Sequence, residues 1–322
     1  MKKQKLEFLL CGSPKDAFFS QAAIFRRALD AFGGSYRDAK LMMCLDYGEG
    51  VPLPARWLPY LDNVTFCYAP IDHFGPMDGR LTRYANHRRY SYTLVDPDAD
   101  ISIACDADTL LLQPFEDAFF EDMTRQPAIG AVLAHHPPEV TDELGHDYRS
   151  MTNDQFWNAI SSHVLGAPVP LTNRYILADD MACPFYINNG FVAAPPRLML
   201  ELHRALCVVQ PKIREFLDNI FYSQLSVALA VEMAALPTRV LPVRYNYPNT
   251  NVADEKYASE LSRVRLLHYQ RTDIFDRHKI FVDAEAFNAF VTMNLGGSNA
   301  VFQRRVRELT GGIYPFPPRA SA

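Results

Sequence analysis

At 322 residues, 48% hydrophobic and 21% charged, the chain has the composition of a soluble globular protein, with one large domain or two ordinary ones and a sizeable core. A formal net charge of -5 and a pI near 6.0 exclude a general basic surface for nucleic acid and leave room only for a local cationic pocket. The six cysteines form no CxxC pair and sit largely in apolar runs such as 41–45, which suits buried thiols in a reducing cytoplasm better than a disulfide framework.

The basic start, with Lys2, Lys3 and Lys5, is followed by an apolar stretch from Phe8 to Cys11 only, too short to read as a signal peptide or a membrane span. Three lysines are also too few to argue for anionic lipid, so the expected location is the cytoplasm, free or peripheral at a membrane. Leu6 to Cys11 predicts a strand, Phe18 to Phe32 an amphipathic helix closed by Gly33 and Gly34, Lys40 to Leu45 a second strand and Asn63 to Tyr68 a third. A helix from Leu81 to Leu94 then leads into the apolar run Ile101 to Cys105. This βα alternation predicts a mainly parallel, doubly wound sheet that binds ligands at the carboxyl ends of its strands.

Ala128 to Ala134 predicts a strand, and His135 to Pro170, rich in Pro, Asp, His and Asn, an excursion that covers a site. Phe185 to Ala193 resumes as a strand, Arg197 to Val209 and Asn219 to Ala235 as helices, and Arg239 to Val243 and Arg263 to Tyr269 as strands. Ala284 to Leu309 is mostly helical and leads to a Pro-rich tail. No repeat or low-complexity linker marks a boundary.

The chemistry is concentrated at Asp106-Ala107-Asp108, directly after the strand-like residues 101–105 and before the apolar Leu110, Leu111 and Leu112. Two carboxylates so placed interrupt a buried segment, where like charges are costly without a counter-charge. Both can reach one hard cation, Mn2+ or Mg2+, which would bridge the diphosphate of a nucleotide.

The segment from Ile101 to Phe115 resembles the DxD segment of the retaining, glycogenin-like GT-A glycosyltransferases, a group that includes lipopolysaccharide galactosyltransferases. Further islands follow in that family's order over about residues 6 to 275. Arg89, flanked by Tyr84 and Arg88, lies on the helix from which the family turns an arginine toward the nucleotide-sugar. Phe185 to Val192, with Asn188 and Asn189, resembles the strand that faces the donor sugar, and Leu241 to Asn246 a late strand ending in Asn. His268 stands where the family supplies a third protein ligand to the metal.

The resemblance implies a GT-A, Rossmann-like α/β fold with a mainly parallel sheet flanked by helices. A catalytic domain would span 1–280, its nucleotide-sugar half about 1–115 and its donor-sugar and acceptor half about 116–280, with a helical extension over 281–322. It implies transfer from a nucleoside-diphosphate sugar, UDP-linked, to an acceptor hydroxyl with retention; the sugar and the acceptor stay open. In two places the sequence departs from the family. Ser223, before Gln224, replaces the usual carboxylate, and the Gly and Lys expected after His268 are absent, leaving Arg271 or Lys279 as substitutes.

Each candidate also has a plainer reading. His268 can be a satisfied structural histidine, and one of Arg88 and Arg89 a solvated helix charge. Asn188 and Asn189 before Gly190 can form an ordinary turn, or their amides can serve sugar hydroxyls. Asp179 and Asp180 can cap a turn, act as a catalytic base or bind hydroxyls. Gln224 lies among apolar residues and needs a partner, for which the sugar is a candidate. Rival functions are a haloacid-dehalogenase-type phosphatase, which also begins from DxD, and a non-catalytic sugar-nucleotide-binding protein of the same fold. A nucleotidylyltransferase would need a Gly-rich phosphate loop after the first strand, where Gly12 stands alone.

Overall fold

The computed structural model describes residues 3–47, 50, 52–70, 80–138, 150–217 and 221–317. The elements run β1 (Leu6–Gly12), α1 (Asp16–Phe32), β2 (Lys40–Leu45), β3 (Val64–Tyr68), α2 (Arg80–Ser91), β4 (Ile101–Asp106), β5 (Thr109–Leu111), α3 (Asp117–Arg125), β6 (Ile129–Leu133) and α4 (Asn153–Leu165). They continue as β7 (Asn173–Arg174), β8 (Ala182–Cys183), β9 (Ile187–Ala194), α5 (Pro196–Arg214), α6 (Tyr222–Met233), β10 (Thr238–Val240), β11 (Tyr247–Pro248), α7 (Asn251–Lys256), β12 (Leu266–His268), α8 (Ala284–Thr292) and α9 (Gly297–Thr310).

Seven strands form the main sheet in the order β10-β6-β9-β4-β1-β2-β3. All its pairings are parallel except those of β9, which runs antiparallel to both β4 and β6. Helices cover both faces, which is why β1 and β9 are buried along their whole length instead of alternating with water. The period-two pleat divides each strand between two cores. Leu6, Phe8 and Leu10 of β1 and Ile101 and Ile103 of β4 pack on the side of α1. Leu9 and Ala104 pack on the side of α4, α5 and α6. Each fully buried Leu, Ile or Phe contributes about 1.5–3 kcal/mol, and the polar DxD at the end of β4 interrupts this arrangement.

The mixed α/β architecture, with its mostly parallel sheet and helical C-terminal region, agrees with the fold class read from the sequence and is consistent with a GT-A-like fold. Element edges differ where local chemistry intervenes. The strand expected over Arg239 to Val243 stops at Val240 and gives way, past Pro242, to a single 3-10 turn at Val243–Tyr245. The strand expected from Arg263 shrinks to β12 because a 3-10 turn occupies Ala258–Arg263. Helix α5 runs on through Pro211 to Arg214. Parts of two expected elements, residues 139–149 of the excursion and 219–220 of a helix, lie outside the described residues.

A second, small sheet, β11-β12-β5, stands where the chain leaves β4. Behind β12, Tyr269 stacks on Phe302 of α9 at 4.5 Å between ring centroids, and Phe275 meets Phe290 of α8 at 4.8 Å. The C-terminal helices thus form the aromatic backing of the strand that carries His268.

Candidate metal and nucleotide-sugar site

The order β3-β2-β1-β4 reverses direction between β1 and β4, and a cavity of about 680 Å³ opens there at the strands' carboxyl ends. Gly12 and Ser13 at the end of β1, Asp46 and Tyr47 after β2, and Asp106, Ala107 and Asp108 at the end of β4 line it. Because β9 is antiparallel to β4, with Phe191 opposite Cys105, the amino end of β9 brings Asn188 and Asn189 to the same place. Gln224, His268, Gln270 and Arg277 complete that side.

Two local devices hold the DxD turn. Thr109 Oγ1 donates to the Asp106 carbonyl at 2.8 Å. The buried Arg88 donates to the carbonyls of Cys105 and Asn189, at 2.6 Å each, and stands 3.7 Å from the Asp106 carboxylate. Beyond the turn, β5 pairs antiparallel with β12 so that Thr109 faces His268. That register delivers the imidazole: Nε2 of His268 lies 3.3 Å from Asp108 Oδ1 and 3.7 Å from Asp106 Oδ2.

The three side chains fit a divalent cation. Asp106, Asp108 and His268 each offer one ligand atom, and these atoms lie within 4.8 Å of one another. Carboxylate oxygens with one imidazole nitrogen suit Mn2+ or Mg2+. A positive charge already stands in, because the guanidinium of Arg277 is ion-paired with Asp108. Burial pushes the Asp108 carboxyl upward, but His268 and Arg277 outweigh it and hold the group well below the usual carboxylate range. Burial alone would lower the pKa of His268; Asp108 and then Asp106 reverse that and raise it.

The neighbouring wall is neutral. Asn189 donates from Nδ2 to Ser223 Oγ at 2.9 Å, while its buried Oδ1 has no hydrogen-bond partner among the described residues. That orphan acceptor beside the cavity is one a ligand hydroxyl would satisfy. Asn188 is engaged differently: its Oδ1 accepts from the Gly190 N–H and from Asn246 Nδ2, at 2.9 Å each. Gly190 lies inside β9, so Asn-Gly marks no turn here; a Cβ at that position would collide with His268 and Asn246.

Other expected residues lie elsewhere. Arg89, expected to face the nucleotide, does not line the cavity; its carbonyl pairs with His203 Nδ1 at 3.0 Å, and the preceding residue, Arg88, occupies the inner face of α2. One residue is about 100° of helix, which separates the two arginines. Asp179 and Asp180 are exposed outside the cavity lining: Asp179 pairs with Lys256 at 2.8 Å, and the carbonyls of both accept from Arg174. Arg271 and Lys279 pair with Asp273 and Asp276 on the surface, whereas Arg277, unforeseen, reaches the carboxylates. Ser13, Asp46, His87 and His278 also line the cavity unforeseen. For Ser13 and Asp46 the signal was available, since both directly follow parallel strands of the sheet, at the carboxyl ends where ligands bind.

No protein-family profile matches the sequence, and no curated protein matches it either. Among solved structures, the apo form of mouse xyloside xylosyltransferase 1 is similar, with a TM-score of 0.48 and 12% identity over 83% of this chain and 98% of that one. A likeness of that size carries no inference about donor or acceptor. No helix among the described residues is long and apolar enough to cross a membrane.

Proposed function

We propose that the chain is a metal-dependent glycosyltransferase that moves a sugar from a nucleoside-diphosphate donor, UDP-linked, to an acceptor hydroxyl with retention of configuration. The observation that carries this reading is the meeting of Asp106, Asp108 and His268 on a cavity of about 680 Å³ at the sheet's switch point, beside a wall of uncharged amides. In this reading the three residues hold Mn2+ or Mg2+. The bound cation supplies neutralisation of the diphosphate as it becomes the leaving group.

The chain's own residues do the rest. Arg277 exchanges its contact with Asp108 for the phosphates, giving the diphosphate a second cationic partner. Arg88 braces the turn beneath Asp106 without entering the cavity. Asn189 and Gln224 read sugar hydroxyls, Asn189 through its orphan Oδ1. Among the described lining residues the carboxylates are Asp46, Asp106 and Asp108, so the sugar end relies on hydrogen bonding and positioning.

Ser223, where a carboxylate is usual, keeps one alternative in view: a protein that binds the sugar-nucleotide without turning it over. Hydrolysis or transfer assays over a panel of nucleoside-diphosphate sugars, with Mn2+ and with EDTA, separate the two. Metal-dependent release of nucleoside diphosphate supports the enzyme. Metal-dependent binding without turnover supports the binding protein, and capture of an aspartyl-phosphate would instead assign the phosphatase chemistry.

A further inference from the structure

We infer that Asn188 is a positioning residue that fixes the tautomer and orientation of His268 for metal ligation, with Asn246 and Gly190 completing the clamp. The inference rests on the metal-binding reading above, and it assigns Asn188 a different task from reading the sugar.

The argument starts from a group whose role is unambiguous. The backbone N–H of Gly190 can only donate, and it points at the Asn188 side chain at 2.9 Å, so the atom it meets is the carbonyl oxygen Oδ1. Nδ1 of His268 lies 3.2 Å from that same oxygen and must therefore carry the hydrogen. In a neutral imidazole this leaves the lone pair on Nε2, the atom turned toward Asp106 and Asp108. The opposite tautomer would put an N–H there and could not ligate. Hydrogen bonding at the far nitrogen is the general means by which proteins orient a ligating histidine.

The clamp is rigid because its parts are buried. Asn188 is 6% exposed, His268 4% and Asn246 0%. Asn246 donates its Nδ2 to the same Oδ1 at 2.9 Å, which holds the Asn188 amide against rotation. The absence of a side chain at Gly190 lets the imidazole and the Asn246 amide approach β9 together. Three distant stretches, the start of β9, the turn after β10 and the end of β12, converge on one oxygen. A residue whose work was to read sugar would have its acceptor free for the ligand.

The test is titration of the nucleotide-free protein with Mn2+, followed by the electron paramagnetic resonance signal of the free ion, with folding checked by circular dichroism. Asn188→Leu removes the acceptor at similar volume and should weaken Mn2+ binding by about tenfold or more. Asn188→Ala is the second variant, removing the acceptor by truncation. Asn188→Asp keeps an acceptor and should restore binding. The double variant Asn188→Leu/His268→Ala should bind no more weakly than His268→Ala alone, since one residue acts through the other.

Wild-type affinity in the folded Asn188→Leu or Asn188→Ala protein, or an additive loss in the double variant, overturns the positioning role while leaving the metal site standing. Failure of the wild-type protein to bind Mn2+ at all overturns both.

Discussion

His268 faces Thr109 across the antiparallel pair β12 and β5, and this register sets Nε2 of His268 3.3 Å from Oδ1 of Asp108. Asp106 comes from the main sheet and His268 from the small one, so the candidate cation site joins two sheets. Asp106→Asn and Asp108→Asn each remove one hard ligand. Glycosyl transfer should fall by about a hundredfold or more in either variant, the scale on which charge-stabilising groups act in transition states. Steady-state rates at saturating Mn2+ check this.

The pairing of Arg277 with Asp108 predicts a selective effect on phosphate binding. Arg277→Ala should weaken a nucleoside diphosphate by about ten- to a hundredfold, as loss of about 1.5–3 kcal/mol in charged hydrogen bonds implies, and leave the bare nucleoside unaffected. The surface pairs of Arg271 and Lys279 are worth about 0–1 kcal/mol, so their alanine variants should change affinity little. Calorimetric titration of the three variants decides between them.

The strand carrying the DxD motif was legible because an apolar run ended in two carboxylates, and the βα alternation before it gave the parallel half of the sheet. The antiparallel direction of β9 and the pairing of β5 with β12 were not legible, because three-residue strands such as β5 and β12 have too little pattern to announce a partner. Composition could not separate Arg88 from Arg89, which differ only in the face of α2 they occupy. Asn-Gly suggests a turn by propensity, yet at Gly190 the glycine serves close packing inside a strand. Arg277 follows β12 in an irregular segment, where no periodicity marks a side chain as facing inward.

Gly190→Ala follows directly from that packing. The added methyl meets the His268 ring and the Asn246 amide, so both must shift. Overpacking of this kind costs about 1–3 kcal/mol, and here it should also weaken Mn2+ binding. Urea unfolding read together with a metal titration measures the two effects; unchanged stability and affinity would contradict the packing.

His135 predicts a pH dependence of stability. Burial, reinforced by His268 and His136, pushes its pKa down from 6.5 to about 3, and its inner Nε2 has no hydrogen-bond partner among the described residues. The ring is neutral in the folded chain and protonates near 6.5 in the unfolded one. Its contribution is therefore complete above about pH 6.5 and is lost as pH falls toward 3, amounting to roughly 2 kcal/mol by pH 5. His135→Gln should flatten the acid limb; urea midpoints of both proteins at pH 7.5 and pH 5 give the comparison, and parallel shifts would contradict it.

The most direct test of the donor site is thermal stabilisation of the purified protein by UDP, GDP, CDP and ADP, each with and without Mn2+, since a ligand that binds the folded state raises its melting temperature by mass action. The predicted result is stabilisation by one nucleotide, UDP, that requires Mn2+ and disappears in Asp106→Asn and Asp108→Asn. Stabilisation by none of them, or stabilisation indifferent to Mn2+ and to both aspartates, would contradict the account.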